Sequence, residues 1–137
     1  MPKVTHNPTK NTPSGKYLYF ANTIGGDGFD QNEMVIYPAE ALRGIEPADG
    51  GTTLNLWFDP MEVTTIVAAD DVDLVQLTVT ALKHKDVSTA IINAITSPSV
   101  TGLVTIADEN TANPSTGTTG LYIHSDITAV AAITKAV

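Results

Sequence analysis

No cysteine occurs anywhere in this chain, so disulfides, thiolate metal ligands and a thiol nucleophile are all excluded. A chain without thiols is compatible with either redox setting, so this absence leaves the compartment open. Cations are scarce: seven Lys and Arg stand against 15 Asp and Glu, and Arg43 is the single arginine. The net charge of −8 argues against nucleic acid, whose affinity draws on cations over phosphates, and equally against an anionic membrane surface. One guanidinium also leaves little to clamp a phosphate or carboxylate substrate. No apolar run approaches the roughly 20 residues of a membrane span. The first 16 residues are polar and carry Pro2, Pro8 and Pro13, so they lack the apolar stretch of a signal peptide. The expectation is a chain with no signal peptide and no transmembrane segment, made in a cytoplasm.

Charged residues make up 16% and aromatics 6%, while threonine, with 20 residues, is abundant. Threonine is β-branched and its hydroxyl suits a half-exposed sheet face. A Thr-rich surface poor in charge is characteristic of a packed, multi-copy protein. The 137 residues suit one domain with a core that needs no staples.

The proline spacing of residues 1–15 forbids a helix or a paired strand interior, which makes them a flexible N-terminal arm. The remainder, 16–137, is expected to be a single β-rich domain. Tyr17–Ala21 is aromatic and short and reads as a strand buried on both faces; Met34–Tyr37 is its hairpin partner across a Gly/Asp turn. Residues 38–51 are expected as a loop with one helical turn at 39–42. Thr53–Phe58 alternates with Leu54, Leu56 and Phe58 on one face, and Val72–Ala81 places Val75, Leu77, Val79 and Ala81 together. Residues 62–69 read as strand or buried loop. Val87, Ile91, Ala94 and Ile95 carry the stripe of a helix over 86–97, with Asp86 as N-cap and Pro98 blocking its continuation. Leu103–Ile106 and Leu121–Ile123 are further strands flanking a polar loop at 108–120, and 127–133 reads as strand or helix, with a strand favoured because a small sheet needs its edge closed. Strand runs around one helix predict an α+β class, mainly antiparallel β, as a small SH3-like barrel or a curled sheet.

Three clusters hold residue types that carry chemistry. Asp27, Asp30, Asn32 and Glu33 lie in a Gly-rich hairpin tip, and oxygen ligands on flexible backbone are what calcium requires. Their spacing departs from the EF-hand pattern, and a solvated acidic tip is the favoured reading. Asp70, Asp71 and Asp73 form a second acidic patch before a strand. Lys83, His84 and Lys85 precede the helix, where amide dipoles and two cations suit an anion; no Gly-rich phosphate loop accompanies them. His124-Ser125-Asp126 has the residue types of a hydrolytic triad, but sequence neighbours rarely converge as a triad requires. Three dispersed histidines, His6, His84 and His124, do not make a zinc site without cysteine. The aromatic residues Tyr17, Tyr19, Tyr37, Tyr122 and Trp57 are expected in the core or as cross-strand partners, with an exposed aromatic patch meeting another subunit as the alternative.

Several segments together resemble small proteins of tailed marine phages, of the cyanophage kind. These are KYLYFAN with its acidic turn, MVIYPAEALRGIEP, TTLNLWFDP, VDLVQLTVTALKHKDVSTAIINAI and GLVTIADENT…GLYIHSDITAVAAIT, which together span residues 16–134. The long arm at 1–15 departs from the shorter starts of those proteins. The resemblance implies a virion component, located in the virion or the host cytoplasm, and brings no catalytic residues. The function expected is therefore a non-enzymatic structural or assembly protein that forms a homo-oligomer or binds other virion proteins. A calcium-dependent binding module using the loop 25–33 and an enzyme of unrecognised type are the alternatives.

Overall fold

Alternation of inward and outward side chains begins at Lys16. In the structure, a computed structural model describing residues 15–23, 30, 32–61 and 72–135, β1 runs Lys16–Ala21 with Leu18 and Phe20 buried and Tyr17 46% exposed. The strand is therefore covered on one face and partly wet on the other, a correction to the double-sided burial expected of it. An aromatic run does not say how many faces are covered, because Tyr tolerates a half-exposed position. β1 pairs antiparallel with β2 (Met34–Pro38), as the hairpin reading requires.

A 3-10 turn at Ala39–Ala41 leads directly into β3 (Leu42–Pro47), in a stretch expected to be loop. Among the described residues the hidden strand is an edge strand that pairs with β4 (Thr53–Phe58) alone, and its register shifts between Leu42 and Gly44. Gly, Pro, a bulge and charges are what protect an edge from further pairing, and they are also what makes a sequence read as loop. β5 (Asp73–Val79) pairs with β4 and alternates fully, with Val75, Leu77 and Val79 buried; it ends before Ala81, which is exposed because the chain turns at Thr80–Lys83.

Helix α1 spans His84–Thr96 and buries Val87 and Ile91, with Ala94 and Ile95 packed against the core. It starts two residues earlier than expected, and Lys83, not Asp86, occupies the N-cap position without a side-chain cap. The cause is the preceding turn: Lys83 N donates to Thr80 O at 3.0 Å and Val87 N to Lys83 O at 3.1 Å. Within that turn Leu82 has φ 67°, a left-handed conformation that costs a residue with a Cβ about 1 kcal/mol. Leu82 is also 93% exposed, so its side chain gives nothing back through packing. Leu82→Gly is therefore expected to raise the unfolding free energy by about 0.5–1 kcal/mol. Urea denaturation checks this, and an unchanged or lower midpoint contradicts it.

β6 runs Gly102–Ala112 and lies parallel to β1; the other five described pairings are antiparallel. It extends through Asp108–Ala112, which the polarity of that stretch assigns to a loop. β7 (Thr119–Tyr122) pairs back on it, and β8 (Ile127–Thr134) closes the chain against β5. Segment 127–134 is thus a strand, as read. The segment 62–69 and the arm at 1–14 lie outside the described residues.

The strands form two four-stranded sheets, β2-β1-β6-β7 and β3-β4-β5-β8, over one core. The Phe58 ring joins them: Tyr37 stacks on it at 4.2 Å and Phe20 meets it edge-on at 5.8 Å. The class is the expected one, a curled, mainly antiparallel β structure with one α-helix among the described residues, and among those residues the sheets do not close into a barrel. Between β6–β7 and β8, side chains replace the ladder: Glu109 Oε2 accepts from Val130 N at 2.9 Å, and Tyr122 OH donates to Thr128 O at 3.2 Å.

Candidate functional site

Hairpin geometry decides what the acidic tip can do. Asn22 N donates to Glu33 O at 2.7 Å, and Glu33 N to Asp30 O at 2.9 Å. The Glu33 carboxylate turns back onto the same tip, where Oε2 accepts from Asp30 N at 2.8 Å. Asp30 and Asn32 are exposed, and Asp27 lies outside the described residues. Glu33 thus stabilises the turn itself. Among the described residues, no three His, Asp or Glu side chains are gathered as a metal site would need.

Asp73 has a different fate from that of a surface patch. It opens β5, is 0% exposed, and accepts from Tyr37 OH at 2.7 Å and Met61 N at 3.0 Å. Asp70 and Asp71 lie outside the described residues. Asp108 is likewise buried, accepting from Asn110 N at 2.8 Å and Thr111 Oγ1 at 2.6 Å. Two carboxylates that read as turn charges are therefore acceptors, Asp73 at the start of β5 and Asp108 within β6.

Lys83 and Lys85 are exposed before and within the first turn of α1, and Lys83 Nζ lies 3.8 Å from Asp86. His84 is half-buried between them; its Nε2 is buried and has no hydrogen-bond partner among the described residues. The three side chains therefore do not converge outward on one point. His124 belongs to the turn into β8: its Nδ1 accepts from Asp126 N at 3.0 Å, and Ser125 is exposed. That contact ties His124 to the backbone of its own turn. His6 is outside the described residues.

The tyrosines divide by environment. Burial, reinforced by the hydrogen bond and the charge of Asp73, raises the Tyr37 pKa far above its usual value of 10.0. Burial raises that of Tyr19, with Asp108 adding to it, and burial raises that of Tyr122, with Glu109 and Asp108 adding to it. A phenol whose folded pKa lies above the unfolded one keeps its proton after the unfolded chain has lost it. Stability is therefore full below pH 10 and falls as pH rises beyond it. The expected result is an alkaline loss of stability in which Tyr37 ionises only as the chain unfolds. Phenolate absorbance followed together with near-UV circular dichroism checks it, and Tyr37 phenolate in a still-folded chain contradicts it. Trp57 is half-buried, and its Nε1 donates to Glu46 Oε1 at 2.9 Å across the β3–β4 pair.

One stretch of the surface is largely apolar. The outward positions of β2, β1 and β6 form two ladder rows, Pro38–Tyr17–Leu103 and Ile36–Tyr19–Thr105. Tyr17 is 46% exposed, Ile36 37% and Leu103 58%, and Pro38 is exposed as well. No carboxylate, ammonium or guanidinium belongs to these six residues. The signal for this face lay in the sequence as the expected alternative of an exposed aromatic patch, but only the register puts Leu103 and Ile36 beside the tyrosines. A second feature is a groove of about 390 Å³ between β3 and α1, lined by Leu42, Gly44, Ile45, Ser88 and Ile92. On its lip Arg43 is paired with Asp59 at 2.5 Å.

Among the described residues no helix is long and apolar enough to cross a membrane. Set against protein-family models, curated proteins and solved structures, the chain matches none.

Proposed function

We propose that this chain is a non-enzymatic structural or assembly component of a virus particle, acting through protein–protein contact on the outer face of β2-β1-β6. The observation that carries the reading is that face: six neutral side chains in register, with Tyr17, Ile36 and Leu103 all more than a third exposed. Contiguous apolar surface held on a rigid sheet favours association, because covering it removes apolar area from water. Engagement of the polar candidates elsewhere supports the same reading. Asp73, Asp108, Glu33 and Glu109 each accept hydrogen bonds that hold the fold. The virus-particle part rests on the resemblance of residues 16–134 to small tailed-phage proteins.

The test is quantitative mass spectrometry of washed particles of the virus that encodes the chain. Many copies per particle, retained after high-salt washing, are expected. A chain present in infected cells but missing from the particles overturns the proposal.

A further inference from the structure

We infer that residues 1–14 of this chain fold back over the neutral outer face of β2-β1-β6 in the same molecule, as a strap that a partner must displace. The inference rests on the reading above, because it concerns how the same contact face is kept covered.

Position selects the occupant. The segment joins the described structure at Gly15, one residue before β1, the middle strand of the face. Gly15 O accepts from Gly102 N at 2.7 Å, which pins the exit beside Leu103, and Tyr17 lies two positions further along β1. The chain bends at Gly15, whose φ of 78° is a left-handed conformation that glycine adopts without a Cβ clash. A reversal of direction is therefore available at the point where the segment leaves the sheet.

Chemistry agrees with position. Pro2, Pro8 and Pro13 favour extended polyproline geometry, and Pro-rich segments of that kind dock on exposed aromatic rings. Tyr17 and Tyr19 stand at the middle of the rows Pro38–Tyr17–Leu103 and Ile36–Tyr19–Thr105. Three adjacent strands are about 10 Å across and successive outward positions about 7 Å apart, so the block has the footprint of one extended segment. Polyproline geometry advances about 3 Å per residue, so the stretch from Pro13 back to Pro8 spans about 16 Å and crosses both rows. Charge has the matching sign. Residues 1–14 hold Lys3 and Lys10 and no acid, whereas all 15 Asp and Glu belong to the rest of the chain. The acidic body therefore attracts the segment.

Tethering sets the strength. Six partly exposed residues offer less than the about 800 Å² that a stable interface buries on each partner, so a free segment would bind them weakly. A short tether raises the effective concentration to about 1 mM, at which an intrinsic Kd of about 0.1 mM keeps the strap on the face about nine-tenths of the time. A partner displaces it by adding contacts outside the six residues.

The chain holds no cysteine, so a nitroxide attached through Thr9→Cys reports on this segment alone. In the full chain, the NMR amide signals of Ile36, Leu103 and Thr105 are expected to lose most of their intensity. Those of Ile45 and Ser88, in the groove between β3 and α1, are expected to keep theirs. Adding Pro8→Gly and Pro13→Gly is expected to restore at least about half of the lost intensity. In a mixture where only unlabelled chains are isotope-enriched, no loss is expected, because the strap lies on its own molecule. Hydroxyl-radical footprinting needs no label: Tyr17 and Leu103 of the wild type are expected to react at least about threefold more slowly than in the double proline variant, with Leu82 equal in both. Unbroadened face amides, a loss centred on the groove, a loss in the mixture, or equal footprints at Tyr17 and Leu103 overturn the inference. The two proposals fail separately. A covered face in a chain missing from virus particles removes the structural role and leaves the strap. A bare face in a chain abundant in particles removes the strap and leaves the role.

Discussion

Lys16→Met is expected to lower the unfolding free energy by about 3 kcal/mol, because Lys16 holds the carboxyl end of α1 from a strand on the first sheet. Lys16 is the first residue of β1 and is only 5% exposed. Its Nζ donates to Ala94 O at 3.1 Å and to Ile95 O and Ser97 O at 2.5 Å each. The last carbonyls of a helix have no intrahelical donor, and they form the negative end of its dipole. An ammonium satisfies both needs at once. Methionine has a similar length and stays apolar, so it preserves most of the packing and removes the donors. Hydrogen bonds from charged groups contribute about 1.5–3 kcal/mol each but share one cation here, so the sum falls well short of three full contributions. For a domain of this size the loss corresponds to a fall in Tm of about 10 °C. Urea denaturation followed by circular dichroism measures it. A loss below about 1 kcal/mol shows that water replaces the ammonium at the helix end.

Asp73→Ala is expected to cost a similar amount, about 3 kcal/mol, for a different reason. The carboxylate is fully buried and accepts from Tyr37 OH of β2 and Met61 N of the β4–β5 connection, so it ties the two sheets together. Alanine leaves the Tyr37 hydroxyl without this acceptor beside the Phe58 ring on which Tyr37 stacks. An unsatisfied buried donor carries its full desolvation cost. Asp73→Asn keeps a carbonyl acceptor and is expected to lose less, about 1–2 kcal/mol. A double-mutant cycle with Tyr37→Phe isolates the contact, and a coupling of about 1.5 kcal/mol is expected. A coupling near zero sinks the account, since it assigns the cost of Asp73→Ala to packing alone.

Both predictions concern polar residues whose meaning the sequence concealed. Lys16 reads as the first residue after a polar arm, with nothing to mark it as buried, and Asp73 as one of three carboxylates at a turn. Each is buried because of what lies more than 30 positions away: the end of α1 for Lys16, and Tyr37 for Asp73. The candidate site shows the same limit. Tyr17 is legible as a strand aromatic, but its exposure depends on β6 arriving in parallel register with Leu103 opposite. No local pattern encodes that pairing, because β5, α1 and sixty intervening positions decide where β6 lands.

What the sequence determined by itself were the elements with a strong period. Alternation in 53–58 and 73–79, the stripe of Val87 and Ile91 on α1, and the hairpin of β1 and β2 all follow from side-chain spacing alone. Periodicity is a local property, since apolar residues must share a face before they can share a core. The absence of cysteine and the balance of −8 likewise needed no structure. Tertiary structure alone decided three things: that LRGIEP is an edge strand, that Asp108 and Glu109 lie within β6, and that the sheets stay open. Each depends on partners distant in sequence. A strand with Gly and Pro forms only where a neighbour offers its ladder, and a carboxylate enters a strand only where donors meet it. None of the acidic balance that argued against a nucleic-acid partner belongs to the neutral block of six residues on the outer face of β2-β1-β6. That block is what the scarcity of charge, met first as an absence, leaves on the surface.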